Sequence, residues 1–136
     1  MTEKDNLELV AKATDAVING HDPTAIEKYW AESYIQHNPM AKPGREGFKE
    51  FFQQLFNAMP DFKWEPILQP VGSGDQVWAY GKYTGTFKND WMGIKANGKR
   101  ITYTAADIFR VEKGRIAEHW DVVDYKTLFD QMMSSA

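Results

Sequence analysis

Thr102-Tyr103-Thr104-Ala105-Ala106-Asp107-Ile108-Phe109-Arg110-Val111-Glu112-Lys113-Gly114-Arg115-Ile116-Ala117-Glu118-His119-Trp120-Asp121-Val122-Val123 is the stretch on which the fold turns. Side chains alternate in character on both sides of Glu112-Lys113-Gly114-Arg115, the pattern of two strands joined by a tight turn. On the first strand Tyr103, Ala105, Asp107, Phe109 and Val111 share a face. On the second, Ala117, His119, Asp121 and Val123 share one, and Ile116, Glu118, Trp120 and Val122 share the other. Counted outward from the turn, Asp107 and His119 fall opposite one another within about one residue of register, so three ionisable groups converge on one patch.

Such a patch suits proton transfer. A carboxylate held partly out of water gains proton affinity, and a hydrogen-bonded histidine can orient it or relay its proton. Asp121 is the candidate base, His119 its orienter and Asp107 the third member. The same spacing also fits a pair, Asp107 and His119, that only satisfies itself near a sheet end. His37 completes the candidate set: in Tyr34-Ile35-Gln36-His37-Asn38-Pro39 it shares a face with Ile35, and it belongs to the site if that face meets the same cavity; otherwise it is a satisfied core histidine. His37, His119 and Asp107 could imitate a two-histidine, one-carboxylate metal set, but they lack local ligand spacing, and no metal is expected. His21 reads as an exposed loop residue without a partner.

Upstream the period changes. Leu7, Val10, Thr14 and Val17, widened by Leu9, Ala13 and Ile18, mark an amphipathic helix over residues 5–19, ended at Asn19-Gly20 as by a left-handed cap. Asp22 and Pro23 begin a second helix that buries Ile26, Tyr29 and Trp30 and runs into a strand at Tyr34. Phe48, Phe51, Phe52, Leu55, Phe56 and Met59 give a third helix a heavy aromatic face that reads as core. After Pro60 the texture is that of strands, with Gly72-Ser73-Gly74-Asp75 and Asn97-Gly98 as turns, and Tyr125 to Met133 forms a last helix. Helices followed by a consecutive meander imply one α+β domain over residues 1–136, its curved antiparallel sheet wrapped by the N-terminal helices. The chain carries more indole and phenol groups than a core of this size buries without polar handles, so some should wall a pocket; Trp30, Tyr34, Tyr103, Phe109 and Trp91 are assigned to substrate binding.

Bulk properties narrow the classes. At 136 residues and 43% hydrophobic, the chain can build one core and has no room for a second. Sixteen basic against nineteen acidic residues, interspersed, give a net charge of −3, which argues against nucleic acid as a partner. No apolar run nears the roughly 20 residues that cross a bilayer, and Met1-Thr2-Glu3-Lys4-Asp5-Asn6 lacks a signal-like apolar segment, so a cytoplasmic location away from membranes is expected. With no cysteine, disulfides, thiolate nucleophiles and cysteine-held zinc are excluded together.

Tyr34-Ile35-Gln36-His37-Asn38-Pro39, Met92-Gly93-Ile94 with Gly98-Lys99-Arg100, Asp107-Ile108-Phe109-Arg110-Val111-Glu112, Gly114-Arg115-Ile116 and Glu118-His119-Trp120-Asp121 together resemble the SnoaL-like polyketide cyclase or ester cyclase group of the NTF2-like superfamily. The likeness runs from the first helix to about Asp124. It implies an α+β cone with an internal pocket, homodimers formed through the outer sheet face, and aldol ring closure without metal or organic cofactor, with Asp121 matching the acid/base carboxylate. Three positions depart from the cyclases: Asp107 stands where they carry histidine, Phe87 where relatives often carry one, and Lys95-Ala96-Asn97 where they show Pro-Pro-Thr.

The expected function is therefore cofactor-free acid/base chemistry, of aldol-cyclase or isomerase type, on a hydrophobic carbonyl substrate. Two other readings fit the same scaffold: a dimer that binds a small apolar ligand without turning it over, and an epoxide or ester hydrolase with water activated by Asp107 or Asp121.

Overall fold

The structure is a computed structural model and describes residues 2–135. Helix α1, Glu3–Thr14, starts in a reciprocal capping box: the Thr2 hydroxyl accepts from the Asp5 amide at 3.1 Å, and the Asp5 carboxylate accepts from the Thr2 amide at 3.0 Å. It buries Val10 and Ala13 and continues as a π-helical turn, Asp15–Asn19, which turns the successive residues Val17 and Ile18 both inward. Gly20 is not left-handed, as its place after the helix suggested; its φ is −81°, and a Cβ there would lie 2.6 Å from the Ala16 carbonyl oxygen. The left-handed residue is His21, whose φ is 52°. His21 is also half-buried rather than exposed, its ring stacked on Phe56 at 4.2 Å and its Nε2 2.6 Å from the Phe62 carbonyl oxygen.

A 3₁₀ turn, Pro23–Ala25, capped by Asp22, leads through α2 (Ile26–Tyr29) into β1 (Trp30–Gln36). Helix α3, Gly44–Ala58, points Phe48, Phe52, Leu55 and Ala58 inward, with Phe51 and Phe56 at the edges of that stripe. Five strands follow: β2 (Lys63–Pro66), β3 (Val71–Ser73), β4 (Gln76–Thr86), β5 (Arg100–Glu112) and β6 (Arg115–Val123). Helix α4, Tyr125–Met132, is capped by Asp124 and buries Leu128 and Met132.

The sheet order is β1-β6-β5-β4-β2, with β3 also paired to β4. All pairs are antiparallel except β1 with β6, which run parallel, a departure from the fully antiparallel sheet that the meander implied. The core lies between the helices and the inner sheet face; Leu55, Phe62, Phe87 and Ile101 are fully buried there, each contributing about 1.5–3 kcal/mol. Asn97-Gly98 does not form a two-residue hairpin. It ends the segment 87–99, and the Asn97 amide donates to the Gln131 and Ser134 carbonyls at 2.9 and 3.0 Å, closing the end of α4. Among the described residues no helix is long and apolar enough to cross a membrane.

Candidate functional site

The β5–β6 hairpin starts from Lys113 and Gly114, whose φ angles of 50° and 73° suit a type I′ turn. Glu112 pairs with Arg115 and Val111 with Ile116, but Arg110 then pairs with Glu118, so Ala117 is an extra residue on β6. This bulge decides the chemistry. Without it Asp107 would face Trp120; with it Asp107 lies opposite Asp121 and Phe109 opposite His119, all on the inner face. Ile116 and Ala117 are both buried in consequence, where strict alternation would have separated them.

His119 and Asp107, only 4% and 6% exposed, are joined by a 2.8 Å hydrogen bond between Nε2 and Oδ1. The other oxygen of Asp107 accepts from the Tyr83 hydroxyl at 2.7 Å. On the far side of the imidazole, Nδ1 lies 2.9 Å from Oε1 of Gln36, the residue of β1 directly in register with His119. The Tyr34 hydroxyl donates to that same oxygen. An oxygen thus faces each ring nitrogen, and His119 and Asp107 form a buried hydrogen-bonded pair.

Asp121 stands apart from this chain of bonds. Its Oδ2 accepts from Asn38 Nδ2 at 2.9 Å, and Oδ1 has no hydrogen-bond partner among the described residues. The Asn38 amide cannot turn over, because its Oδ1 already accepts from the Tyr125 hydroxyl at 3.0 Å and the Met40 amide at 2.8 Å. Loss of water raises the proton affinity of Asp121 above the ordinary aspartate value, against the opposing pull of His119 and Asn38 and with the help of the facing Asp107. Burial also pushes the hydroxyls of Tyr34, Tyr83, Tyr103 and Tyr125 upward, so these phenols remain donors at neutral pH.

The patch opens on a cavity of about 70 Å³ between α3, α4 and the sheet, lined by all three charged residues together with Gln36 and Asn38. Of the aromatic residues assigned to it, Trp30, Trp91, Tyr103 and Phe109 line it. Tyr34 does not: it sits behind the wall and holds Gln36. His37 does not belong to the cavity either. It lies on the outer face, Nε2 2.6 Å from Glu118 Oε2 and ring stacked on Trp120 at 5.0 Å, because the inward residues of β1 are Tyr34 and Gln36 and the alternate face looks to solvent.

Gln36, Asn38, Tyr83 and Tyr125 were not among the expected site residues. Gln36 had a signal, since it shares a face with Tyr34; Tyr83 had one in its place on the inner face of β4. As for a metal, single donor atoms from Asp107, His119 and Asp121 lie within 4.8 Å of one another, a set that could hold an ion only if His119 gave up its bond to Asp107.

Residues 8–132 match the family model described as SnoaL-like polyketide cyclase. No curated protein matches the chain in sequence. Among solved structures it is similar to TsrD from Streptomyces laurentii, with 26% identity, a TM-score of 0.86 and 97% of each chain covered. It is similar also to IdmH from Streptomyces antibioticus, proposed as a polyketide cyclase, with 25% identity, a TM-score of 0.78 and coverage of 95% of this chain and 99% of that one. AclR from Streptomyces galilaeus, proposed as a hydroxylase, shares the fold at 21% identity and a TM-score of 0.86, over 96% of this chain and 97% of that one.

Proposed function

This chain belongs to the SnoaL-like polyketide cyclase family, and on that premise we propose that it catalyses cofactor-free acid/base chemistry, aldol closure or isomerisation, on a hydrophobic carbonyl compound. The observation that carries the reading is Asp121: one oxygen anchored by Asn38, the other unbonded, its proton affinity raised, at the wall of an aromatic cavity.

In this reading the Asp121 carboxylate removes a proton from the carbon next to the substrate carbonyl and becomes a neutral acid. Proton uptake also relieves its repulsion with Asp107, directly opposite across the strands. The resulting enolate carbon attacks a second carbonyl held in the same molecule, and the alkoxide so formed takes the proton back from Asp121. The site ends as it began, and the product is an isomer of the substrate. The Asp107–His119 pair stays intact throughout and keeps a fixed polar wall beside the developing enolate. Tyr83 and Gln36 hold that pair in position.

The test is solvent-proton exchange. The protein is incubated in D₂O with a panel of apolar aryl ketones and diketones, and deuterium at the α-carbon is followed by mass spectrometry. Exchange faster than in buffer, reduced about 10²- to 10⁴-fold in Asp121→Asn, is the expected result. Equal exchange by the two proteins would remove Asp121 from the role.

A further inference from the structure

Asp107 lines two cavities, and the one at Asp121 is the smaller of them. A second chamber of about 260 Å³ lies between α1, β2 and the inner face of β4 and β5, against about 70 Å³ for the first. Its walls are mostly apolar: Leu7 and Val10 on α1, Pro66 and Pro70 beside β2 and β3, Val77 on β4. Small residues stand on both sides, buried Ala79 on the strand and exposed Ala11 at the rim on the helix. The π-helical turn contributes Asp15, Ile18 and Asn19 to the same walls.

Between the two chambers stand Thr14, Ile18, Tyr83, Asp107 and Phe109, which line both. Asp107 is the one carboxylate among these shared residues, so whatever fills the second chamber lies against the Tyr83–Asp107 end of the buried pair. Asp15 and Glu65 line the chamber as well, and a wall with three carboxylates disfavours an anion. We propose that this second chamber is a binding pocket for an uncharged, apolar, ring-bearing small molecule, distinct from the cavity at Asp121. Its occupant excludes water from the Tyr83–Asp107 hydrogen bond. Binding here stands without the catalytic reading of Asp121.

The experiment uses 2-acetylnaphthalene, an uncharged aryl ketone, titrated into the ¹⁵N-labelled protein and followed by amide chemical shifts, with 2-naphthoate as the anionic counterpart. Saturable shifts at Ala11, Val77 and Ala79 are expected for the ketone, with weaker binding of the carboxylate. Ala11→Phe, at an exposed helical position where the larger side chain does not enter the core, and Ala79→Leu should each raise the dissociation constant about tenfold or more, the effect of filling the space a ring would take. Shifts confined to Asn38, Asp121 and Tyr125, absence of saturable shifts, or an unaltered dissociation constant in both narrowed variants would overturn the proposal. Failure of Asp121 as a base would not.

Discussion

The inner face of β6 presents His119, bonded to Asp107 at 2.8 Å with both side chains nearly devoid of solvent contact; the outer face of the same strand presents half-buried Glu118, bonded at 2.6 Å to the exposed His37. The residue types and distances are nearly the same. What differs is water. Inside, the loss of hydration raises the proton affinity of Asp121. Outside, the bonds from His37 and Arg110 hold the Glu118 carboxyl below the usual range. Two acids three residues apart on one strand are thus moved in opposite directions, and only the inner one is left uncommitted at one oxygen. A histidine–carboxylate pair becomes a candidate for chemistry through its surroundings rather than its geometry alone.

The sharpest way to break this contrast is to remove one partner on each side. Asp107→Ala leaves His119 and the Tyr83 hydroxyl buried without their shared acceptor and should cost about 1–3 kcal/mol for each group so orphaned, by urea denaturation. Glu118→Ala, which breaks the partly exposed pairs with His37 and Arg110, should cost less, about 1 kcal/mol. Similar losses would mean that burial is not what separates the two faces. Tyr83→Phe comes next: it leaves Asp107 Oδ2 without its donor in the interior, and a loss of about 1–3 kcal/mol is expected in the same measurement.

The smallest effect concerns sign. Because the folded state raises the proton affinity of Asp121, this group favours folding below the unfolded value of about 3.9, and the contribution is lost as pH rises through the folded value. At pH 7 the charged carboxylate is therefore a cost, and Asp121→Asn should melt higher than the wild type, a gain that fades as pH falls through the folded value and is gone below about 3.9. Glu118→Gln should behave oppositely, being less stable than the wild type at pH 7 and indistinguishable from it in acid. Melting curves over pH 3–8 check both signs together.

Much of the inner face is legible in the sequence. His119 and Asp121 share a face by alternation, and the turn at Lys113-Gly114 makes β5 and β6 neighbours; that Asp107 joins that face depends on the bulge. The bulge at Ala117 is not legible as such, although the successive apolar residues Ile116 and Ala117 carry its trace. His37 shows the limit of period two: it assigns residues to alternate faces without saying which face is inside, and that is decided by the parallel pairing of β1 with β6, between residues some 83 positions apart. Gln36 and Asn38 become visible only through that pairing. The second chamber has two alanines in its walls, and space left by small side chains has no signature in periodicity.

Asp121 is central as an acid poised by lost water. The most direct measurement is a ¹³C NMR titration of its side-chain carboxyl, assigned by the signal missing from Asp121→Asn. A midpoint clearly above about 3.9 is predicted, together with a Glu118 midpoint below the usual glutamate value of about 4.3. A midpoint for Asp121 at or below that of an exposed aspartate would contradict this role and leave the cavity without its base.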